Sequence, residues 1–149
     1  GNPKSWLRKV ISDDVRDNSP MTGRQHNIGK LELDLESKLE LLGEHHSATL
    51  IARHALAHAY RAARRFGDAN QLFKENLAAS AELLGPDHPD TLRKHSSLAN
   101  CHYAAGQYEE AIRIFAEILS RRERGLGLDH PDTLRSRGSL ANSYRATDR

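Results

Sequence analysis

Apolar residues fall on helical faces along most of this chain. Ile28, Leu31, Leu35, Leu39 and Leu42 share one face of a helix over 27–43, which Gly43 stops. Leu92, Ser96, Ala99 and Tyr103 follow helical spacing, with Leu98 and His102 beside them, and the small Ala99 and Ala104 permit close approach of a neighbour. Gly106-Gln107 breaks that pattern. A further helix starts near Glu109, carries Ala111, Ile112, Ile114, Phe115, Ile118 and Leu119 on a broad apolar face, and ends near Gly125-Leu126-Gly127. At the start, Trp6, Leu7, Val10, Ile11 and Val15 fit one helical face closed by Asn18-Ser19-Pro20. The alternation Leu31-Glu32-Leu33-Asp34-Leu35 also suits a strand, but its place just before a recurring phrase argues for helix.

That phrase is His88-Pro89-Asp90-Thr91-Leu92, which returns as His130-Pro131-Asp132-Thr133-Leu134, 42 positions on. A weaker copy, His46-Ser47-Ala48-Thr49-Leu50, lies 42 positions earlier, and 84–103 matches 126–145 at 13 of 20 positions. A fixed period of this size marks a repeat array, each unit of which buries its apolar face by stacking on the next. Pro89 and Pro131 suit the first helical position, Asp90 and Asp132 favour the positive end of the helix dipole, and Asp87-His88 and Asp129-His130 supply the cap. In the first copy, Ser47 or His46 caps. The first segment is out of register, because Asp14 falls where Leu56 and Leu98 stand. Residues 1–26 therefore read as a capping helix or degenerate repeat with a loop. The array follows as a half repeat at 27–46, repeats at 47–88 and 89–130, and a half repeat or C-terminal cap at 131–149.

A length of 149 residues suits one domain or a piece of an array, and 38% hydrophobic with 5% aromatic residues is lean for a single globular core. A net charge of +2 gives no bulk basic field to draw in nucleic acid. One cysteine, Cys101, excludes an internal disulfide framework and fits a reducing compartment. No run of 18 apolar residues exists, and Trp6-Leu7-Arg8-Lys9-Val10-Ile11 is too charged for a signal segment. The expectation is a cytoplasmic protein or fragment that does not span a membrane.

Leu56-Ala57, Tyr60, Ala69 and Phe73 resemble the small-and-aromatic pattern of tetratricopeptide repeats. Leu98-Ala99, Ala111 and Phe115 repeat it, and Leu140-Ala141 with Tyr144 begins it again. The 42-residue period and the Leu-Gly-x-Asp-His-Pro-Asp-Thr-Leu linker resemble the longer, kinesin-light-chain type of this repeat. His102 stands where Tyr60 and Tyr144 stand. The Asn-Asn pair common in that type is replaced by His54-Ala55, Ser96-Ser97 and Gly138-Ser139. The resemblance implies an all-α, right-handed superhelical array of antiparallel hairpins with about seven helices. It also implies a concave groove, lined by first helices, that binds an extended peptide or partner helix.

Helical spacing places Leu56, Ala57, Tyr60 and their equivalents 42 and 84 positions on in the core. Rotated away from it are Ile51, His54, His58, Arg61 and Ala62, then Arg93, Ser96, Asn100, Tyr103 and Ala104, then Arg135, Gly138, Asn142, Arg145 and Ala146. By the resemblance, this polar and locally basic face lines the groove. The arginine fork suits carboxylates and asparagine grips peptide backbone, so the expected ligand is an acidic peptide or a C-terminal carboxylate.

Sharper chemistry fares worse. His54 and His58 have the i, i+4 spacing of metal ligands, but Ala55-Leu56-Ala57 lies between them and no third ligand or base is identifiable. Gly23 with Gly29-Lys30 superficially matches a phosphate loop, with a wrong gap and Leu31 in place of Ser or Thr. Asp13-Asp14 and Glu109-Glu110 read as solvated helix-end acids, Cys101 as a buried thiol, and the runs 61–65 and 121–124 as solvated helix ends rather than a nucleic-acid surface. No catalytic set, metal or cofactor is expected. The expected role is a protein-interaction scaffold. The alternatives are a self-associating array, or the sensor end of a larger ATPase or transcription-regulator type of signalling protein.

Overall fold

A computed structural model describes residues 2–17 and 20–148. The described residues form seven helices and no strand: α1 Pro3–Arg16, α2 Gly23–Leu42, α3 Ser47–Ala62, α4 Phe66–Leu84, α5 Pro89–Ala104, α6 Tyr108–Leu126 and α7 Pro131–Thr147. They make two compact units, Gly1–Ala79 and Ser80–Arg149. Asn18 and Ser19, expected to close the first helix, lie outside the described residues.

The first unit stacks antiparallel helices. Leu7 of α1, Ile28, Leu35 and Leu39 of α2, Leu56, Ala57 and Tyr60 of α3, and Ala69, Leu72 and Phe73 of α4 are buried. α2 begins at Gly23, ahead of its first apolar residue, because Thr22 and Gln25 form a reciprocal capping box. Val15 and Leu42, expected on apolar faces, are instead exposed (77% and 44%), and Glu32 is buried in their stead. The inward stripe of α2 is thus Ile28, Glu32, Leu35 and Leu39, at the 4-3-4 spacing of a helix face.

In the second unit α5, α6 and α7 pack in sequence, with Leu92, Leu98, Ala99, Cys101, Ala111, Ile114, Phe115 and Ile118 inside. The third copy of the core pattern departs from expectation. Leu140 and Ala141 are not buried and Tyr144 is 54% exposed, on a helix that packs chiefly against α6.

The recurring phrase forms the joint between helices. Its histidine is the N-cap in all three copies, and in the second and third the aspartate before it is not. Nδ1 of His46, His88 and His130 accepts the backbone N–H two residues on, at 3.0, 3.1 and 3.1 Å. Asp87 pairs instead with Arg121 at 2.5 Å. In the first two copies the threonine is a buried pin. Thr49 donates to the carbonyl of Gly43 at 2.7 Å, and the hydroxyls of Thr91 and Ser80 pair at 2.8 Å.

Two arginines are buried within the units. Arg53 of α3 donates to the Asn76 side chain of α4 at 2.9 Å and lies 3.4 Å from Glu75, while Asn76 donates on to the carbonyl of Leu50. Arg122 of α6 donates to the hydroxyl of Ser136 on α7 at 2.8 Å. Within the basic run at 121–124, Arg122 is therefore not solvated, while Arg124 is exposed.

Candidate functional site

In the first unit the candidate residues lie along α3. His54 and His58 are one turn apart, with ring centroids 4.4 Å from each other, and both meet the Phe73 ring of α4 edge-on at 6.0 and 5.5 Å. Arg61 hydrogen-bonds Nδ1 of His58 at 3.2 Å. Partial burial holds the His58 imidazole below its ordinary pKa, and the charges of His54 and Arg61 push the same way. A half-buried imidazole set edge-on against phenylalanine packs and hydrogen-bonds there. The described residues hold no group of three or more metal-ligating side chains around this pair.

In the second unit, α5 presents Arg93, Ser96, Asn100 and Tyr103, and α7 presents Arg135, Asn142 and Arg145. Arg93, Asn100, Arg135, Asn142 and Arg145 are exposed, and Ser96 is half-buried. Tyr103 is 37% exposed and packs edge-on against Tyr108 at 5.2 Å. The arginines are locally committed: Arg93 pairs with Asp90, Arg135 with Asp132 at 2.8 Å, and Arg145 with the side chain of Asn142. The aspartate of the recurring phrase thus offsets the positive charge of the arginine three residues on, a partner that helical spacing alone makes readable. Such exposed pairs are weak, and an incoming carboxylate competes with them at little cost.

A polar cluster that the sequence reading missed lies between the first four helices. The Tyr60 hydroxyl donates to Glu32 at 2.6 Å. Arg65, just before α4, pairs with Asp14 of α1 at 3.1 Å and Asp68 at 2.9 Å, and its guanidinium sits 4.4 Å from the Tyr60 ring centroid. Asp14 and Arg65 are therefore paired, not solvated helix-end charges. Burial above all, then the facing Asp14 carboxylate, raises the Glu32 pKa to about 7, against the pull of Tyr60 and Arg65. Burial, then the bond to Glu32, pushes the Tyr60 phenol up. Beside the cluster, a cavity of about 320 Å³ is walled by Ile11, Val15, Met21, Ile28 and Leu33.

The remaining candidates fall into place by geometry. Gly23, Gly29 and Lys30 all lie inside α2, so no phosphate loop exists there. Cys101 is fully buried. No helix among the described residues is long and apolar enough to cross a membrane.

A family model described as Tetratricopeptide repeat matches residues 49–113 and 92–149. No curated protein matches the chain. Among solved structures, two forms of a putative kinesin light chain with nearly identical TPR-like repeats from Podosopora anserina are similar, at TM-scores of 0.76 and 0.70 and 23% and 22% identity. Each match covers 97% of this chain and 77% of the other. BtubC (BKLC) from P. vanneervenii is similar at a TM-score of 0.71 and 18% identity, over 97% of this chain and 65% of that one. At these identities the likeness establishes the fold alone: an all-α solenoid of helix hairpins.

Proposed function

The chain belongs to the tetratricopeptide repeat family, and from that premise we propose that it is a non-catalytic binding module gripping a peptide on the exposed faces of its first helices. Repeats of this family mediate protein–protein interaction. The carrying observation is the recurrence of Arg93 and Asn100 on α5 as Arg135 and Asn142 on α7, all four exposed at one register. Asparagine offers both a donor and an acceptor to peptide backbone, and paired positions on successive first helices suit an extended chain. Arg93 and Arg135 favour a ligand with an acidic side chain or a free C-terminal carboxylate, which exchanges with Asp90 and Asp132. In the first unit, His54 and His58 supply hydrogen bonds and an aromatic surface, and Arg61 adds a positive charge beside them.

The test uses peptides selected from a random library against the whole chain, with affinities measured by calorimetry. Asn100→Ala with Asn142→Ala is expected to weaken selected peptides at least tenfold while leaving the melting temperature unchanged. Arg93→Glu with Arg135→Glu is expected to weaken acidic peptides more than neutral ones. Unchanged affinity in both folded double mutants removes this face from the reading.

Self-association is a second reading, favoured by the apolar face of α7, where Leu134 is 50% and Tyr144 54% exposed. A strict monomer in light scattering at high concentration counts against it.

A further inference from the structure

The third copy of the joint is built differently from the second. In the second, the Ser80 hydroxyl pairs with that of Thr91 at 2.8 Å. One period on, Arg122 stands in the place of Ser80 and Thr133 in that of Thr91. The Thr133 hydroxyl is buried and has no hydrogen-bond partner among the described residues. Arg122 is 6% exposed, and its Nη1 donates to the Ser136 hydroxyl at 2.8 Å and the Asp132 carbonyl at 3.5 Å. Both partners are neutral. Burial lowers the Arg122 pKa, and the charge of Asp132 opposes that without pairing, since its carboxylate is held by Arg135 at 2.8 Å. A guanidinium does not shed its proton, so burial without a paired carboxylate leaves a charge to be met. The other buried arginine, Arg53, has Glu75 at 3.4 Å.

Arg122 lines a cavity of about 340 Å³ at this joint, within the second unit. Pro89, Leu92 and Leu126 form its apolar wall. Arg121 and Arg124 join Arg122 on the polar wall, with Asp87 and Asp132. Arg121 is matched by Asp87 at 2.5 Å and Glu117 at 3.3 Å, whereas Arg124 donates to the neutral Ser120 hydroxyl at 3.0 Å. Three guanidiniums thus share the wall with two carboxylates, and the most buried of them has none of its own. One uncompensated positive charge suits a monoanion. The planar fork suits a carboxylate, and the apolar side chains beside it suit hydrocarbon, which inorganic phosphate lacks. None of the lining residues belongs to the candidate peptide face.

We propose that this cavity binds a small apolar carboxylate, its charged head on Arg122 and its hydrocarbon against Pro89, Leu92 and Leu126. The ligand supplies Arg122 with the counter-ion that Glu75 supplies to Arg53. Such a pair is kept from water and is stronger than the exposed pairs elsewhere on the chain. Two sources present this chemistry: a free short-chain acid and the C-terminal residue of a peptide. The cavity lies at the small end of ligand pockets and takes one such group rather than a longer segment.

Hexanoate titrated into the nitrogen-15-labelled whole chain is expected to shift the amide signals of Leu92, Arg122 and Leu126 saturably, with a Kd of about 1–10 mM for so small a ligand. Hexanamide keeps the hydrocarbon and loses the charge, and is expected to bind at least tenfold more weakly. Arg122→Ser sets at the third joint the serine that pairs with threonine at the second, so it is expected to fold and to weaken hexanoate at least tenfold. Asn100→Ala with Asn142→Ala disables the candidate peptide face and is expected to leave hexanoate binding unchanged, so the two readings fail separately. Acetylated alanyl-alanyl-leucine with a free carboxylate distinguishes the sources. Competition with hexanoate assigns the site to a peptide C-terminus, and binding of hexanoate without competition assigns it to a free acid. No saturable shift with hexanoate, equal shifts with hexanamide or inorganic phosphate, or undiminished binding by Arg122→Ser overturns the proposal. Should Arg122→Ser fail to fold, the Arg122 Nε–H signal of the parent decides: hexanoate must move it, and an unmoved signal overturns the site equally.

Discussion

Tyr60 on α3 donates its hydroxyl to Glu32 on α2 at 2.6 Å, and both residues are nearly or fully buried. The bond satisfies the phenol and gives the buried carboxyl its donor. Tyr60→Phe keeps the ring under the Arg65 guanidinium but leaves Glu32 without that donor. A buried acceptor so stranded costs about 1–3 kcal/mol, which urea denaturation followed at 222 nm should show as a lower midpoint with an unchanged slope.

The histidine of the recurring phrase works as a cap. Nδ1 of His88 accepts the N–H of Asp90, and the same bond recurs at His46 and His130. His88→Ala should destabilise by about 1 kcal/mol, the usual worth of an N-cap side chain, and His88→Asn should recover most of it by supplying another acceptor. Thermal melts of the two variants check this. Equal loss in both would assign the role of His88 to packing.

Much of the architecture was legible because apolar residues at a 42-residue period leave few alternatives to stacked hairpins. Proline at the start of α5 and α7 and glycine after α2 and α6 stand where the sequence placed them. The polar interior was missed. Glu32 fell inside a Leu-Glu-Leu-Asp-Leu alternation that drew attention to the leucines, although its spacing from Ile28 and Leu35 puts it on the inward stripe. Asp14 reads in the sequence as a break in register and as a solvated helix-end acid. Its partner Arg65 lies 51 residues away, and no local pattern joins them. The candidate binding face was readable as a register. The pairing of its arginines with Asp90 and Asp132 was equally available at i, i+3 and went unread.

Arg64 and Gly106 occupy the same place, 42 residues apart, in the turn inside each hairpin, and both have positive φ, 62° and 79°. For a residue with a Cβ that region costs about 1–2 kcal/mol. Gly106→Ala should therefore destabilise by about 1 kcal/mol, although nothing lies within 4 Å of the added methyl. Arg64→Gly should stabilise by a smaller margin, since it gives up the Phe66 contact at 5.2 Å and adds freedom to the unfolded chain. Opposite signs in denaturant midpoints are the outcome to look for.

Arg53 and Asn76 form a buried pair whose members each serve a second group. Arg53 reaches the Glu44 carbonyl at 3.4 Å, and Asn76 donates to the Leu50 carbonyl at 2.8 Å. Removing either one takes a buried hydrogen bond from the other. Asn76→Ala and Arg53→Ala should each cost several kcal/mol, about 3–5 for the charged member's site. Their coupling in a double-mutant cycle should reach about 0.5–3 kcal/mol. Additive losses would mean that the two side chains act independently.

His58 and His95 give the chain a pH response opposite in sign to that of Glu32. Burial is the leading cause that lowers both imidazoles, reinforced at His58 by His54 and Arg61 and opposed at His95 by Glu117. A base whose folded pKa is depressed contributes stability that is present above its free value of 6.5 and lost as pH falls through the folded value. The native chain should therefore melt at lower temperature as pH drops below 6.5, while Glu32 pulls the other way between 4.5 and about 7. Substitution separates the two. His58→Gln should flatten the acid-side loss, and Glu32→Gln should steepen it by removing the opposing group. Melting temperatures at half-unit intervals from pH 4.5 to 7.5 give both slopes. A Glu32→Gln slope no steeper than the parent's would show that Glu32 keeps its ordinary carboxyl pKa in the folded chain.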